Sequence, residues 1–218
     1  MILAANLLAF VLSAAGFVYG AMRFFKKKVA LFNQMAVCAV GCFMFARLYC
    51  VVEYLCRRTQ ATGFNVSYIG MLGGFMFMFS ASYGQMNGLV DGGEKENFKY
   101  RLISALAPVA VMAMIALVLT SNAVFGVKFI FVLVLAAIAI SSYYNLKFIL
   151  IPDVDMGILK SIRGYNLVAL ILCVFSAGEL VFTAIGNDVG MYGCMLVSAV
   201  MTLILVPVLS KGSRRWTL

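Results

Sequence analysis

Long unbroken apolar stretches dominate this chain, and they leave few folds open to it. Seven can be traced, at approximately residues 3–22, 29–55, 64–85, 103–119, 128–148, 167–185 and 189–209. A helix needs about 20 apolar residues to cross the hydrocarbon core of a bilayer. In lipid, only helices and closed barrels satisfy every backbone hydrogen bond within themselves. The stretches are solidly apolar rather than alternating, and they are too long for barrel strands. They predict an all-α integral membrane protein, a seven-transmembrane helix bundle forming a single domain over residues 1–218.

Composition agrees. Hydrophobic residues make up 64% of the chain and charged residues 11%, with a mean hydropathy of +1.03. A soluble domain carries about 25% charged residues. Too little charge is present to cover a water-facing surface, and no separate soluble domain is expected. Histidine is absent. That removes the commonest metal ligand and the usual proton shuttle near neutral pH. The cysteines, Cys38, Cys42, Cys50, Cys56, Cys173 and Cys194, fall mostly inside apolar runs, where a free thiol packs as a small hydrophobe. No disulfide framework, metal site or cofactor is expected.

The basic residues set the orientation. A secretory signal carries its positive charge before the apolar run. Here Arg23, Lys26, Lys27 and Lys28 follow it. Cytoplasmic loops are enriched in Lys and Arg, so the first helix is expected to start outside. Lys95, Lys99 and Arg101, then Lys147, Lys160 and Arg163, then Lys211, Arg214 and Arg215 fall on inner segments in that scheme. Outer segments carry only Arg57, Arg58 and Lys128. The amino terminus is therefore read as outside and the carboxyl terminus as inside, in the cell membrane. The net charge of +9 is accounted for by anionic inner-leaflet lipids, with no nucleic acid. The inner loops are the longer ones and leave room for a cytoplasmic protein partner. The segment Asp91-Gly-Gly-Glu-Lys-Glu-Asn reads as flexible and solvated. Residues 146–163 read as a continuation of the fifth span lying along the interface, with Asp153 and Asp155 in a solvated loop.

A possible internal repeat adds to the layout. Gly-Met-x-Gly occurs at Gly70–Gly73 in the third span and at Gly190–Gly193 in the seventh. Each follows a helix with an acidic residue near its outer half, Glu53 and Glu179. Spans one to three and five to seven would then be parallel repeats with span four as the inverting connector, a 3+1+3 plan of the kind found in transporters. The alternative is chance similarity among small and apolar residues in packing helices.

Arg47, Glu53 and Glu179 are the charges that matter most. A central Arg costs about 2.5–3.5 kcal/mol on insertion scales, so it normally faces a partner inside the bundle. Arg47 lies about 12 Å, and Glu179 about 9 Å, from the outer ends of their helices at 1.5 Å per residue. They are expected to meet. Glu53 is placed to pair with Arg57 one turn on. Ser176, Glu179 and Thr183 share a helix face, as do Tyr49 and Glu53, and Tyr68 enters the third span at similar depth. The candidate site is thus Arg47, Tyr49, Glu53, Tyr68, Ser176, Glu179 and Thr183, lining either a ligand cavity or a purely structural ion pair. Asn33, Gln34, Tyr83, Gln85, Ser141, Ser142, Tyr143, Tyr144 and Asn166 cluster by depth near the inner side and read as interfacial anchoring.

No P-loop, HExxH motif, nucleophile elbow or lysine inside the last span is present, so neither a familiar enzyme chemistry nor a retinal Schiff base is indicated. The layout is similar to that of rhodopsins, of small three-plus-one-plus-three sugar transporters, and of the membrane sensor modules that precede bacterial histidine kinases. The likeness is of layout only. Two functions are expected. The first is a sensor or receptor-like module that binds an unknown small ligand in an outward pocket and signals to a separate cytoplasmic partner. The second is a small-solute transporter or channel. The sensor ranks first because nothing continuous and polar is visible in the inner half.

Overall fold

The computed structural model describes residues 2–25, 29–57, 65–91, 95–152 and 157–213. These residues form seven helical rods. They are α1 (Ile2–Phe24), α2 (Leu31–Arg57), α3 (Ser67–Ala81), α4 (Lys95–Thr120), α5 (Phe125–Leu150), α6 (Ile158–Ile185) and α7 (Asp188–Ser213). Six are long and apolar enough to cross a membrane. The exception, α3, continues without a gap through a π-helical segment, Ser82–Asn87, into a last turn, Gly88–Val90.

Several helices outrun their apolar cores. Residues 158–166 belong to α6, so Lys160 and Arg163 ride on a helix rather than on an interfacial extension of α5. Asp153 and Asp155 lie outside the described residues. In α4, regular bonding lapses at Ala105, between Phe98–Ser104 and Leu106–Thr120. Pro108 explains this: it has no N–H for the Ser104 carbonyl, and its ring pushes that carbonyl aside. Gly186, at φ 81°, closes α6 in a left-handed conformation open to glycine without strain. The N–H of Asn187 then bonds back to the Phe182 carbonyl, and α7 starts immediately.

The helices close into a ring. α1 packs on α2 and α7, α2 on α3, α3 on α5, α5 on α6, and α6 on α7. α4 sits against α5 and α6 on the outside. Small residues permit the close approaches. Asn6, Ala9, Ser13, Gly16 and Gly20 form the buried stripe of α1. A Cβ on Gly16 would press on the backbone of Thr202 and Leu203 in α7, and one on Gly20 would collide with Val37 in α2. Helices in lipid gain nothing from hiding apolar surface from one another, so close backbone packing and internal polar bonds hold such a bundle together.

The polarity of the assembly is inverted relative to a water-soluble domain. Phe125 and Val189 are more than four-fifths exposed, and Leu106, Met112 and Val124 are also bare. On a soluble protein such a surface would be an aggregation hazard. Meanwhile Asn6, Asn33, Asn145, Asn166, Ser176, Ser198 and Thr202 are buried. An apolar outer surface, with the polar groups kept inside, is the arrangement lipid demands.

Candidate functional site

Arg47 on α2 and Glu179 on α6 face each other across the interior of the ring. Arg47 Nη1 donates to Glu179 Oε1 at 2.7 Å, and Nη2 donates to Oε2 at 2.6 Å. Two parallel charge-assisted bonds of this kind fix geometry as well as charge. Both side chains are nearly buried, at 12% and 8% exposure. The hydroxyl of Thr183 donates to the Glu179 carbonyl at 2.6 Å, so it satisfies its own helix and leaves the carboxylate to Arg47.

A cavity of about 90 Å³ lies over this pair, at the end of the bundle where α1, α3 and α7 begin. Asn6, Cys50, Asn65, Ser67, Tyr68, Thr183 and Tyr192 line it beside Arg47 and Glu179, with Met71, Met191 and Met195 completing the wall. Tyr68 is braced edge-on by Phe131 of α5, with ring centroids 4.7 Å apart. Tyr192 also lines an open vestibule of about 350 Å³ with Ile2, Tyr54, Asp188 and Val189. The vestibule and the cavity thus share one side chain as a wall.

Of the expected site residues, Arg47, Tyr68, Glu179 and Thr183 line this cavity. Ser176 does not. Its hydroxyl donates to Ser198 Oγ at 3.4 Å, and it borders a smaller void of about 10 Å³ with Ser13, Arg47, Ser198 and Thr202. That is room for about one water. Tyr49 is half-buried and lines neither space. Glu53 is buried next to the cavity wall rather than in it. It accepts from Asn65 Nδ2 at 2.5 Å and sits 3.8 Å from Arg57. Asn65 is the link. Its Oδ1 accepts from the Ser67 N–H at 2.8 Å, an Asx turn that starts α3 and carries Glu53's grip to the cavity rim.

Asn6, Cys50, Asn65 and Tyr192 were not among the residues expected from sequence. Asn6 had a visible signal, as an amide inside an otherwise apolar first run. Asn65 had one too, an amide at the very start of the third apolar run.

A second polar centre lies at the opposite end. Asp91 follows the last turn of the α3 rod and is buried, not solvated as its Gly-rich surroundings suggest. Arg101 of α4 donates to it from Nε at 2.7 Å and from Nη2. Lys147 of α5, itself 4% exposed, reaches Asp91 Oδ2 at 2.5 Å and Asn87 Oδ1 at 2.7 Å. The π-helical segment ends at Asn87 and so sets this register. One carboxylate thus ties together three rods.

The core of the ring is mainly apolar but holds several polar groups that are incompletely paired. Asn33, Asn145, Tyr165 and Asn166 each bury at least one polar side-chain atom without a hydrogen-bond partner. Asn33, Ser141, Ser142 and Asn166 are therefore interior groups rather than headgroup anchors. Ser141 donates across to the Phe75 carbonyl of α3 at 3.0 Å. Phe32 and Tyr165, with ring centroids 5.2 Å apart, pack edge to face at this level and narrow the interior.

Fold and site together define a helical membrane bundle with a charged, enclosed core. Comparison with known protein families, with curated proteins and with solved structures found no match.

Proposed function

We propose that the chain is a seven-span membrane protein that takes a small polar solute from outside into the cavity over Arg47–Glu179 and passes it inward between two three-helix halves. The amino terminus is outside, the carboxyl terminus is in the cytoplasm, and the α3 rod supplies the seventh crossing. One observation carries the reading: the ion pair joins α2 to α6, the middle helices of the two halves, at the floor of the outer cavity. Helix neighbours support the halves. Replacing α1, α2 and α3 by α5, α6 and α7 maps every contact of the ring onto another, and α4 stands outside as the connector. Gly70 and Gly190 support it as well. Each presses on the helix before it, Gly70 on Ala46 and Cys42, Gly190 on Phe182. On sequence, sensing ranks first because nothing continuous and polar is visible in the inner half. Buried Asn145 and Asn166 and the Asp91 cluster add polar groups there, which supports passage.

The test is access from both sides. In proteoliposomes, an impermeant thiol reagent outside is expected to modify Cys50, read by peptide mass spectrometry. Reagent inside is expected to modify an Asn166→Cys variant. If that position stays protected from the inner side under every condition, transport is overturned.

Sensing remains the second reading. The Asp91–Arg101–Lys147 cluster favours it, because it locks the inner ends of α3, α4 and α5 into one base that a cytoplasmic partner could read. Co-purification of a regulator, combined with no inner access, is the result that selects it.

A further inference from the structure

We infer that the solute taken by this cavity is a small zwitterion with one carboxylate and one ammonium group, in the size range of glycine; this rests on the proposal that the cavity is a solute site. Charge balance is the first argument. Arg47 and Glu179 cancel, and among the described residues no other ionised side chain lines the space. An anion or cation entering alone would bring an uncompensated charge into a nearly closed, low-dielectric site, at a high desolvation cost. A net-neutral solute avoids that cost.

The second argument is hydrogen-bonding capacity. The guanidinium spends two N–H groups on Glu179 and carries further donors beyond them. Each carboxylate oxygen accepts one of those bonds and retains further lone pairs. The pair's cavity face thus offers donors from a cation beside acceptors from an anion. A carboxylate set over Arg47 and an ammonium set over Glu179 would complete a square of alternating charges, with the existing pair intact. A neutral amide or alcohol could make the hydrogen bonds without the alternating charge.

Size is the third. The space of about 90 Å³ is several times the roughly 10–15 Å³ that one water needs. That admits the smallest amino acids. Met71, Met191 and Met195 are adaptable walls, and Tyr68 and Tyr192 are also in the lining.

The experiment uses the purified full chain in lipid nanodiscs and needs no variant. Cys50 lines the cavity, and its rate of modification by a small uncharged thiol reagent, read by peptide mass spectrometry, reports occupancy. Glycine at millimolar concentration is expected to slow that rate about tenfold, which by RT ln 10 corresponds to about 1.4 kcal/mol of protection. Acetate, methylammonium and acetamide, each holding part of glycine, are expected to leave it unchanged. If any of the three protects as well as glycine, the zwitterion assignment is overturned. If Cys50 reacts and glycine gives no protection, the zwitterion is overturned while the cavity stands. If Cys50 does not react at all, the cavity reading fails and takes this inference with it.

Discussion

Arg47 and Glu179 bind each other so completely that removing either side is worse than removing both. Glu179→Gln leaves a guanidinium buried among helices without its counter-charge, and breaking a buried pair from one side costs about 3–5 kcal/mol. Arg47→Met together with Glu179→Leu removes the charge altogether and is expected to be milder than either single change. Unfolding in bicelles, run as a double-mutant cycle, measures the difference. Additive single effects would mean that the pair contributes nothing. This pairing was readable in the sequence because depth along a helix follows directly from residue count. The helical face was less readable. Tyr49 was assigned to the site by its spacing from Glu53, yet it lines neither space beside the ion pair, whereas Asn65 was passed over and grips Glu53 at 2.5 Å. Which azimuth of α2 points inward depends on neighbours that the local pattern does not name. Asp91 was missed for a related reason. Its Gly-Gly sequel is composed like a solvated loop, and only the distant Arg101 and Lys147 make its burial affordable.

At the scale of the element, glycine has two meanings within one short motif. A Cβ at Gly70 would lie 2.9 Å from Ala46 Cβ and 3.0 Å from the Cys42 carbonyl oxygen. Gly70→Ala must therefore push α3 off α2, an overpacking cost of about 1–3 kcal/mol. At Gly193 nothing lies within 4 Å of an added Cβ. Gly193→Ala is expected to be neutral, or to gain up to about 1 kcal/mol from helix propensity. Thermal unfolding of the two variants side by side checks both. Helix existence was legible throughout, because apolar length alone dictates it in lipid. The ends were not. α6 begins at Ile158, well before its apolar core, because Lys160 and Arg163 sit on its first turns and polar residues extend a helix as readily as apolar ones.

The whole molecule turns on whether α3 crosses. Six long apolar helices alone would return the chain to the side it started from. The α3 rod, counted through its π-helical segment, would make the number odd, as the proposed layout requires. A green fluorescent protein fused after Leu218 is expected to fluoresce in the cytoplasm, and a phosphatase at the same place to stay silent. An epitope placed before Met1 is expected to be cut by protease added outside intact cells. Both ends on one side would remove α3 from the crossings and, with it, the correspondence between the two halves. The sequence alone says little about that proposed correspondence. Gly-Met-x-Gly is short, and the ring of neighbours that gives it meaning exists only once the helices are assembled.

The wide turn at Ser82–Asn87 also sets an angle. A regular α-helix advances about 100° per residue, and a looser coil advances less. Tightening this stretch to regular α-geometry at unchanged length would swing everything beyond it partway round the rod. Asn87 and Asp91 would then look out toward the lipid tails, and Lys147 would be left pointing at a partner that had rotated away.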